Sequence, residues 1–158
     1  MTRTDRLPLI GHRELARPLA WRDGLPVSCA RFLAEAAALA ERLPPGPHLV
    51  NLCEDRYRFT VALAAALLAG KTSLFPPSRH EQALARVFAA YPDAGAIAED
   101  GVPGCAEALV RYPPDLGADE WSGAVPAIPA DRLAAIVFTS GSTGVPQPNA
   151  KRWGNLVA

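Results

Sequence analysis

Short apolar runs alternate with segments of helical period along this chain, and this alternation is the feature that most restricts its fold. The apolar runs predict strands at 48–53, 72–75, 94–98, 108–112 and 133–138, and the periodic segments predict helices at 28–43, 58–69 and 81–90. Short connections rich in Pro and Gly join them. Parallel strands need crossover helices that pack on the faces of the sheet. We therefore predict an α/β fold, a parallel sheet with helices on both faces.

The segment 113–132 interrupts this alternation, because it is rich in Pro, Gly and Asp and has little periodicity. A stretch of this length without regular structure is uncommon inside a compact domain. We therefore predict an N-terminal α/β subdomain at 1–112, a connector at 113–132, and a strand and loop at 133–158 that open a further subdomain. Residues 153–158 begin another helix or turn, so we expect the chain to be the N-terminal part of a longer protein.

Composition excludes several classes of function. Lys plus Arg and Asp plus Glu both number 16, for a formal net charge of +0, so the chain has no basic field to hold a nucleic acid without sequence preference. The three Cys and three His residues are scattered without metal-ligand spacing, and we predict no metal site. The longest apolar run, 61–69, is too short to cross a bilayer. We expect a protein of the reducing cytoplasm.

The predicted strand at 133–138 runs directly into a loop of hydroxyl residues and glycines. Glycine allows close backbone approach and positive φ, while Ser and Thr hydroxyls add donors, so such a loop suits an oxyanion. The candidate phosphate-binding residues are Thr139, Ser140, Gly141, Ser142, Thr143 and Gly144. The loop lacks the Lys of a Walker loop and the glycine spacing of a dinucleotide fingerprint. A flexible Ser/Gly turn without a ligand is the alternative interpretation.

The run 136–146, Ile-Val-Phe-Thr-Ser-Gly-Ser-Thr-Gly-Val-Pro, resembles the phosphate-binding signature of adenylate-forming enzymes. These are the acyl-CoA synthetases, the adenylation domains of peptide synthetases and the luciferases. The order of helices and strands from residue 28 to Pro76 and Pro77 is similar to the N-terminal region of that family. The resemblance implies that the loop holds the β- and γ-phosphates of ATP with Mg²⁺, with Ser142 and Thr143 foremost among the hydroxyl donors.

This sequence departs from the family pattern after Pro146. The family usually continues Pro-Lys-Gly, whereas this chain has Gln147 and Pro148, so the loop lysine is missing. Lys151 or Arg152 is the candidate replacement, and a solvated surface pair is the alternative. The run from Pro146 to Trp153 resembles a variant found in acyl- or aryl-carrier-protein synthetases of bacterial aryl-polyene pigment clusters.

The resemblance implies an enzyme that activates a carboxylic acid, fatty or aryl, as acyl-AMP with release of pyrophosphate. The acyl group then passes to a thiol of CoA or of a carrier protein. The catalytic residues are expected beyond residue 158, so we expect this chain alone to be inactive. A non-catalytic or degenerate nucleotide- or phosphate-binding module is the alternative function.

Overall fold

The computed structural model describes residues 5–158, which form strands and helices in the predicted alternation. In chain order the elements are β1 (Arg6–Pro8), β2 (Pro18–Arg22), β3 (Leu25–Ser28), α1 (Cys29–Ala40), β4 (His48–Asn51), α2 (Arg56–Leu68), β5 (Thr72–Phe75), α3 (Glu81–Ala90), β6 (Gly95–Ala98), β7 (Leu109–Arg111), β8 (Ala127–Pro129), β9 (Leu133–Ser140), β10 (Pro146–Arg152) and α4 (Trp153–Leu156). Within these residues no helix combines the length and the apolar content needed to cross a membrane.

The main sheet has six strands in the order β10-β9-β5-β4-β6-β7. Its pairs from β9 to β7 are all parallel, which confirms the predicted α/β fold, whereas β10 runs antiparallel to β9. Sequence patterning indicated no strand at β10, because its residues are almost all exposed and lack an apolar face. It also missed the two small antiparallel ribbons, β1 with β8 and β2 with β3.

Helices cover both faces of the main sheet, as predicted. Successive side chains of a strand point to opposite faces. Accordingly, Leu49 of β4 packs with α1 and α2, while its neighbour Val50 packs with α3. Helix α2 is apolar nearly all round, and it is enclosed between the sheet, α1 and the N-terminal segment, with Val61 and Ala65 fully buried.

The ends of the helices depend on capping side chains. The Ser28 hydroxyl accepts a 3.1 Å hydrogen bond from the backbone N–H of Arg31, so α1 begins at the position that the sequence indicates. The carboxylate of Asp55 caps α2 in the same way, and this helix therefore starts at Arg56 rather than at the predicted residue 58. Helix α1 ends at Ala40, three residues before the predicted limit.

The topological switch point of the sheet lies between the carboxyl ends of β4 and β6. The chain leaves β4 through α2 on one face and leaves β5 through α3 on the other, and β6 then returns to the far side of β4. Open α/β sheets bind ligands in the crevice that this reversal creates. Strand β9 lies on the other side of β5, so its carboxyl end is at the same edge of the sheet as this crevice, with β5 between them.

The segment 113–132 is less irregular than its composition suggests. Its strand β8 pairs with β1, and the backbone N–H of Leu9 donates a 2.8 Å hydrogen bond to the carbonyl of Pro126. Strand β9, which follows, is hydrogen-bonded to β5 in the main sheet. The sheet thus continues across this connector. The proposed division at 1–112, 113–132 and 133–158 stays a prediction.

Candidate phosphate-binding hairpin

The six candidate residues form the end of β9 and the turn of the β9–β10 hairpin. Thr139 and Ser140 are the last residues of β9, and Gly141 to Gly144 form the turn before β10. The turn is closed by a 3.0 Å hydrogen bond from the N–H of Gly144 to the carbonyl of Gly141. Because β9 is parallel to β5, this turn projects from the same edge of the sheet as the β4–β6 crevice.

The two glycines are required for different reasons. Gly144 has φ of +73°, a left-handed conformation that strains other residues. Gly141 has an ordinary φ, but a Cβ added there would lie 3.1 Å from the carbonyl oxygen of Val145. Larger residues would therefore widen the turn at one position and strain its backbone at the other.

Two hydroxyls of the turn are accessible to a ligand, and a third is already engaged. Ser142 and Thr143 are exposed, and within residues 5–158 their hydroxyls make no hydrogen bond to protein. Thr139 is also exposed, but its Oγ1 lies 3.3 Å from Nδ2 of Asn149 on β10, which donates to it. The Thr139 oxygen accepts in this contact, so its own hydroxyl hydrogen can still be donated to a ligand.

Strand β10 forms an edge of the main sheet in spite of its two prolines. Pro146 pairs with Ser140 and Pro148 with Phe138. Residues two apart direct their backbone nitrogens to the same side of a strand. An edge strand accommodates such prolines, since the missing N–H groups belong on the side away from its partner.

The structure places Lys151 away from the turn. Lys151 pairs with Ala135, five residues before the end of β9. At about 3.4 Å per residue this position is about 17 Å from the start of the turn. Arg152 donates a 2.5 Å hydrogen bond to the carbonyl of Asp131 at the same end of the hairpin.

A basic residue that sequence reasoning missed lies against the turn instead. Nη1 of Arg86, on α3, donates a 2.6 Å hydrogen bond to the carbonyl of Gly144. A cavity of about 320 Å³ separates α3 from the hairpin, and its lining combines Arg86 with the apolar side chains of Val87, Ala90, Tyr91, Phe138, Val145, Pro146 and Pro148. The helical pattern places Arg86 on the polar face of α3, but it carries no signal of a contact 58 residues away.

Polar groups also meet at the neighbouring crevice. The carboxylate of Glu99, just after β6, accepts hydrogen bonds of 3.0 and 3.1 Å from the backbone N–H groups of Glu54 and Asp55. The guanidinium of Arg79 lies 2.5 Å from the carboxylate of Glu54. This ion pair joins the loop after β4 to the loop after β5. Burial raises the pKa of the Cys53 thiol to about 12, so this cysteine is a buried apolar residue and no nucleophile.

No family model and no curated relative matches this chain. Solved structures do match, and they define the class: this chain has the fold of the N-terminal part of adenylate-forming enzymes, as the loop signature predicted.

Three of these structures illustrate the similarity. The N-terminal subdomain of NpsA from Klebsiella oxytoca is 23% identical with a TM-score of 0.62, and the match covers 83% of this chain and 36% of that one. O-succinylbenzoate CoA synthetase (MenE) from Bacillus subtilis is 18% identical with a TM-score of 0.67, and the match covers 96% of this chain and 34% of that one. A malonyl-CoA ligase with methylmalonyl-CoA and AMP bound is 26% identical with a TM-score of 0.68, and the match covers 92% of this chain and 32% of that one. The chain thus spans about a third of the length of these solved chains.

Proposed function

We propose that this chain is the N-terminal part of an ATP-dependent, AMP-forming acid–thiol ligase. The complete enzyme would activate a fatty or aryl carboxylic acid as acyl-AMP with release of pyrophosphate, and pass the acyl group to CoA or a carrier protein. The observation that carries this proposal is the glycine-shaped turn with exposed hydroxyls, on the fold that the ligase and synthetase structures share. That similarity does not favour a non-catalytic module.

In this proposal the hairpin turn holds the β- and γ-phosphates of ATP. Ser142 and Thr143 donate their hydroxyls directly, Thr139 and Ser140 extend the donor set along β9, and Gly141 and Gly144 shape the turn. Negative charge grows on pyrophosphate as it departs, so donors fixed in place stabilise that charge without reorganising. Each hydrogen bond to a charged phosphate oxygen contributes about 1.5 to 3 kcal/mol.

The residues of the turn fit a magnesium–phosphate group only in part. Mg²⁺ prefers oxygen ligands and commonly binds through substrate phosphates and one or two carboxylates. The turn offers hydroxyl oxygens but no carboxylate, and the described residues hold no group of three or more His, Cys, Asp or Glu able to bind a metal. Bound Mg²⁺ would neutralise phosphate charge, and it would arrive with ATP rather than through ligands of this segment.

A binding experiment tests the role of the turn. The affinity of the chain for MgATP is measured by calorimetry for the wild type, Ser142→Ala, Thr143→Ala and a matched control, Ser122→Ala, which removes an exposed hydroxyl elsewhere. We expect each turn variant to weaken binding about tenfold and the control to leave it unchanged. Equal affinity of all four proteins would refute phosphate binding by the turn.

An exchange experiment tests the ligase reaction. The complete protein that contains this segment should catalyse exchange of pyrophosphate into ATP that depends on an added carboxylic acid, and the segment alone should not. Acid-independent or absent exchange by the complete protein would contradict the ligase proposal. A panel of fatty and aryl acids, with CoA and carrier protein as acceptors, would identify the substrates. We also propose that the complete protein is cytoplasmic and resembles the carrier-protein synthetases of aryl-polyene pigment clusters.

A further inference from the structure

The proposed phosphate site needs positive charge that its own residues do not provide. The segment 139–150, which spans the turn and most of β10, contains no Lys, Arg, His, Asp or Glu. A triphosphate is highly charged, and charge-assisted hydrogen bonds are about twice as strong as neutral ones. Besides the Mg²⁺ that accompanies ATP, a protein cation at this site would therefore come from another part of the chain or of the complete protein.

Lys151 and Arg152 do not meet this need in the observed register. Lys151 faces Ala135 at the far end of the hairpin, about 17 Å from the start of the turn at ~3.4 Å per residue. A lysine side chain extends only about 6 Å, which is too short to reach a phosphate at the turn. Arg152 is bonded to the carbonyl of Asp131 at that same end.

Arg86 is in contact with the turn already. It lies on the exposed face of α3 and donates from Nη1 to the carbonyl of Gly144 over 2.6 Å. Of the ion pairs formed within residues 5–158, none includes Arg86. A guanidinium has five N–H donors, so one can hold the turn while others meet an anion.

The contact also orients the backbone of the turn. In a trans peptide the C=O and the following N–H point in opposite directions. Because Arg86 on α3 binds the carbonyl of Gly144, the N–H of Val145 points away from α3. Apolar side chains line the cavity beside the guanidinium, and the exposure of Arg86 leaves its remaining donors accessible to an anion.

We propose that Arg86 is the phosphate-binding cation of the hairpin turn, and that it takes the terminal phosphates of a nucleoside triphosphate while holding the Gly144 carbonyl. The proposal rests on the proposed function and adds a binding residue to that site. It assigns to Arg86 the role that the sequence suggested for Lys151.

The test compares three variants with inorganic tripolyphosphate, MgATP and adenosine as probes, by calorimetry or ³¹P NMR titration. Arg86→Gln keeps a donor for the Gly144 carbonyl and removes the charge, Arg86→Lys keeps the charge, and Lys151→Gln removes one charge at the far end of the hairpin. We expect Arg86→Gln to weaken tripolyphosphate and MgATP binding about tenfold. Arg86→Lys keeps the charge but not the fork of donors, so its affinity should fall less than that of Arg86→Gln. Lys151→Gln should lose less than about twofold in affinity, and adenosine binding should not change.

Salt separates a charge effect from a structural one. The difference between wild type and Arg86→Gln should narrow as NaCl is raised, because added ions screen charge, whereas a change in turn conformation would persist. Unchanged binding in Arg86→Gln, or a larger loss in Lys151→Gln, would overturn the role of Arg86. If Thr143→Ala weakens binding while Arg86→Gln does not, only this inference fails. If the wild-type chain binds neither phosphate probe, the proposed turn function fails and the role of Arg86 with it.

Discussion

The hydroxyl of Tyr57 on α2 donates a 2.6 Å hydrogen bond to the carboxylate of Glu35 on α1, and so joins the two helices that cover one face of the sheet. The same carboxylate accepts a 2.7 Å bond from Nε of Arg31. Tyr57 is almost fully buried, and its ring packs edge-on against Phe32 at 6.2 Å. The pair therefore connects α1 and α2 through a partly buried polar contact.

Removing this hydroxyl should destabilise the fold. We expect Tyr57→Phe to lower the free energy of unfolding by about 1.5 kcal/mol, because a hydrogen bond to a charged acceptor is lost at a largely buried position. Urea denaturation measures the change. Tyr91→Phe is the matched control, since within the described residues the Tyr91 hydroxyl has no protein partner. Equal losses in both variants would contradict a specific contribution of the bond to Glu35.

The N-cap residue of α2 should contribute more to the free energy of unfolding than the N-cap residue of α3. Asp55 accepts a 2.8 Å hydrogen bond from the N–H of Arg58, whereas the N-cap residue of α3, His80, makes no side-chain cap bond. We expect Asp55→Ala to cost about 1 kcal/mol of unfolding free energy and His80→Ala less than about 0.5 kcal/mol. Thermal and urea unfolding of the two variants checks the order, and the reverse order would refute it.

Alkaline pH should destabilise the fold through Cys53. Burial, as the main cause, holds the pKa of this thiol at about 12, above its ordinary value of 9.0. The stability linked to its neutral form is present below pH 9 and is lost as pH rises toward 12.

The measurement compares the unfolding free energy at about pH 8 and about pH 11 under reducing conditions. We expect the wild type to lose about 1 to 2 kcal/mol more than Cys53→Ala over this interval. Tyr57, whose pKa burial also raises, is present in both proteins and cancels in the difference. Burial raises the pKa of Tyr112 and Cys53 adds to this rise, so both proteins carry Tyr112→Phe. Parallel pH profiles for the two proteins would show that Cys53 does not contribute.

A lysine at position 147 should strengthen phosphate binding. The side chain of Gln147 lies beside Gly141. A Cβ atom added to Gly141 would be 3.5 Å from Cγ of Gln147. We expect Gln147→Lys to raise the affinity for tripolyphosphate about fivefold, because a charge is added next to the turn.

Ala150→Lys is the matched control for that charge. Position 150 is exposed and lies on the other face of β10 from Gln147, since side chains alternate along a strand. Calorimetry should show an affinity gain for Gln147→Lys only. An equal gain in both variants would mean that net charge alone attracts the anion and that the site has no defined geometry.

The sequence by itself determined the parallel α/β core and the place of the turn. The strand at 72–75 and the helix at 81–90 agree with the observed β5 and α3, because buried strands and amphipathic helices leave an apolar period in the chain. The signature at 136–146 led to the fold class that the solved structures share. Capping by Ser28 was readable in the same way, since it depends on residues three positions apart.

Only the tertiary structure decided which distant residues meet. Strand β10 has no apolar face, and its existence depends on pairing with β9. The short ribbons β1–β8 and β2–β3 likewise form only through pairing between strands. This pairing sets the register that carries Lys151 away from the turn, and the packing of α3 brings Arg86 to Gly144 instead. Local patterns report burial and backbone preference, whereas a contact between side chains 58 residues apart is set by how the elements pack.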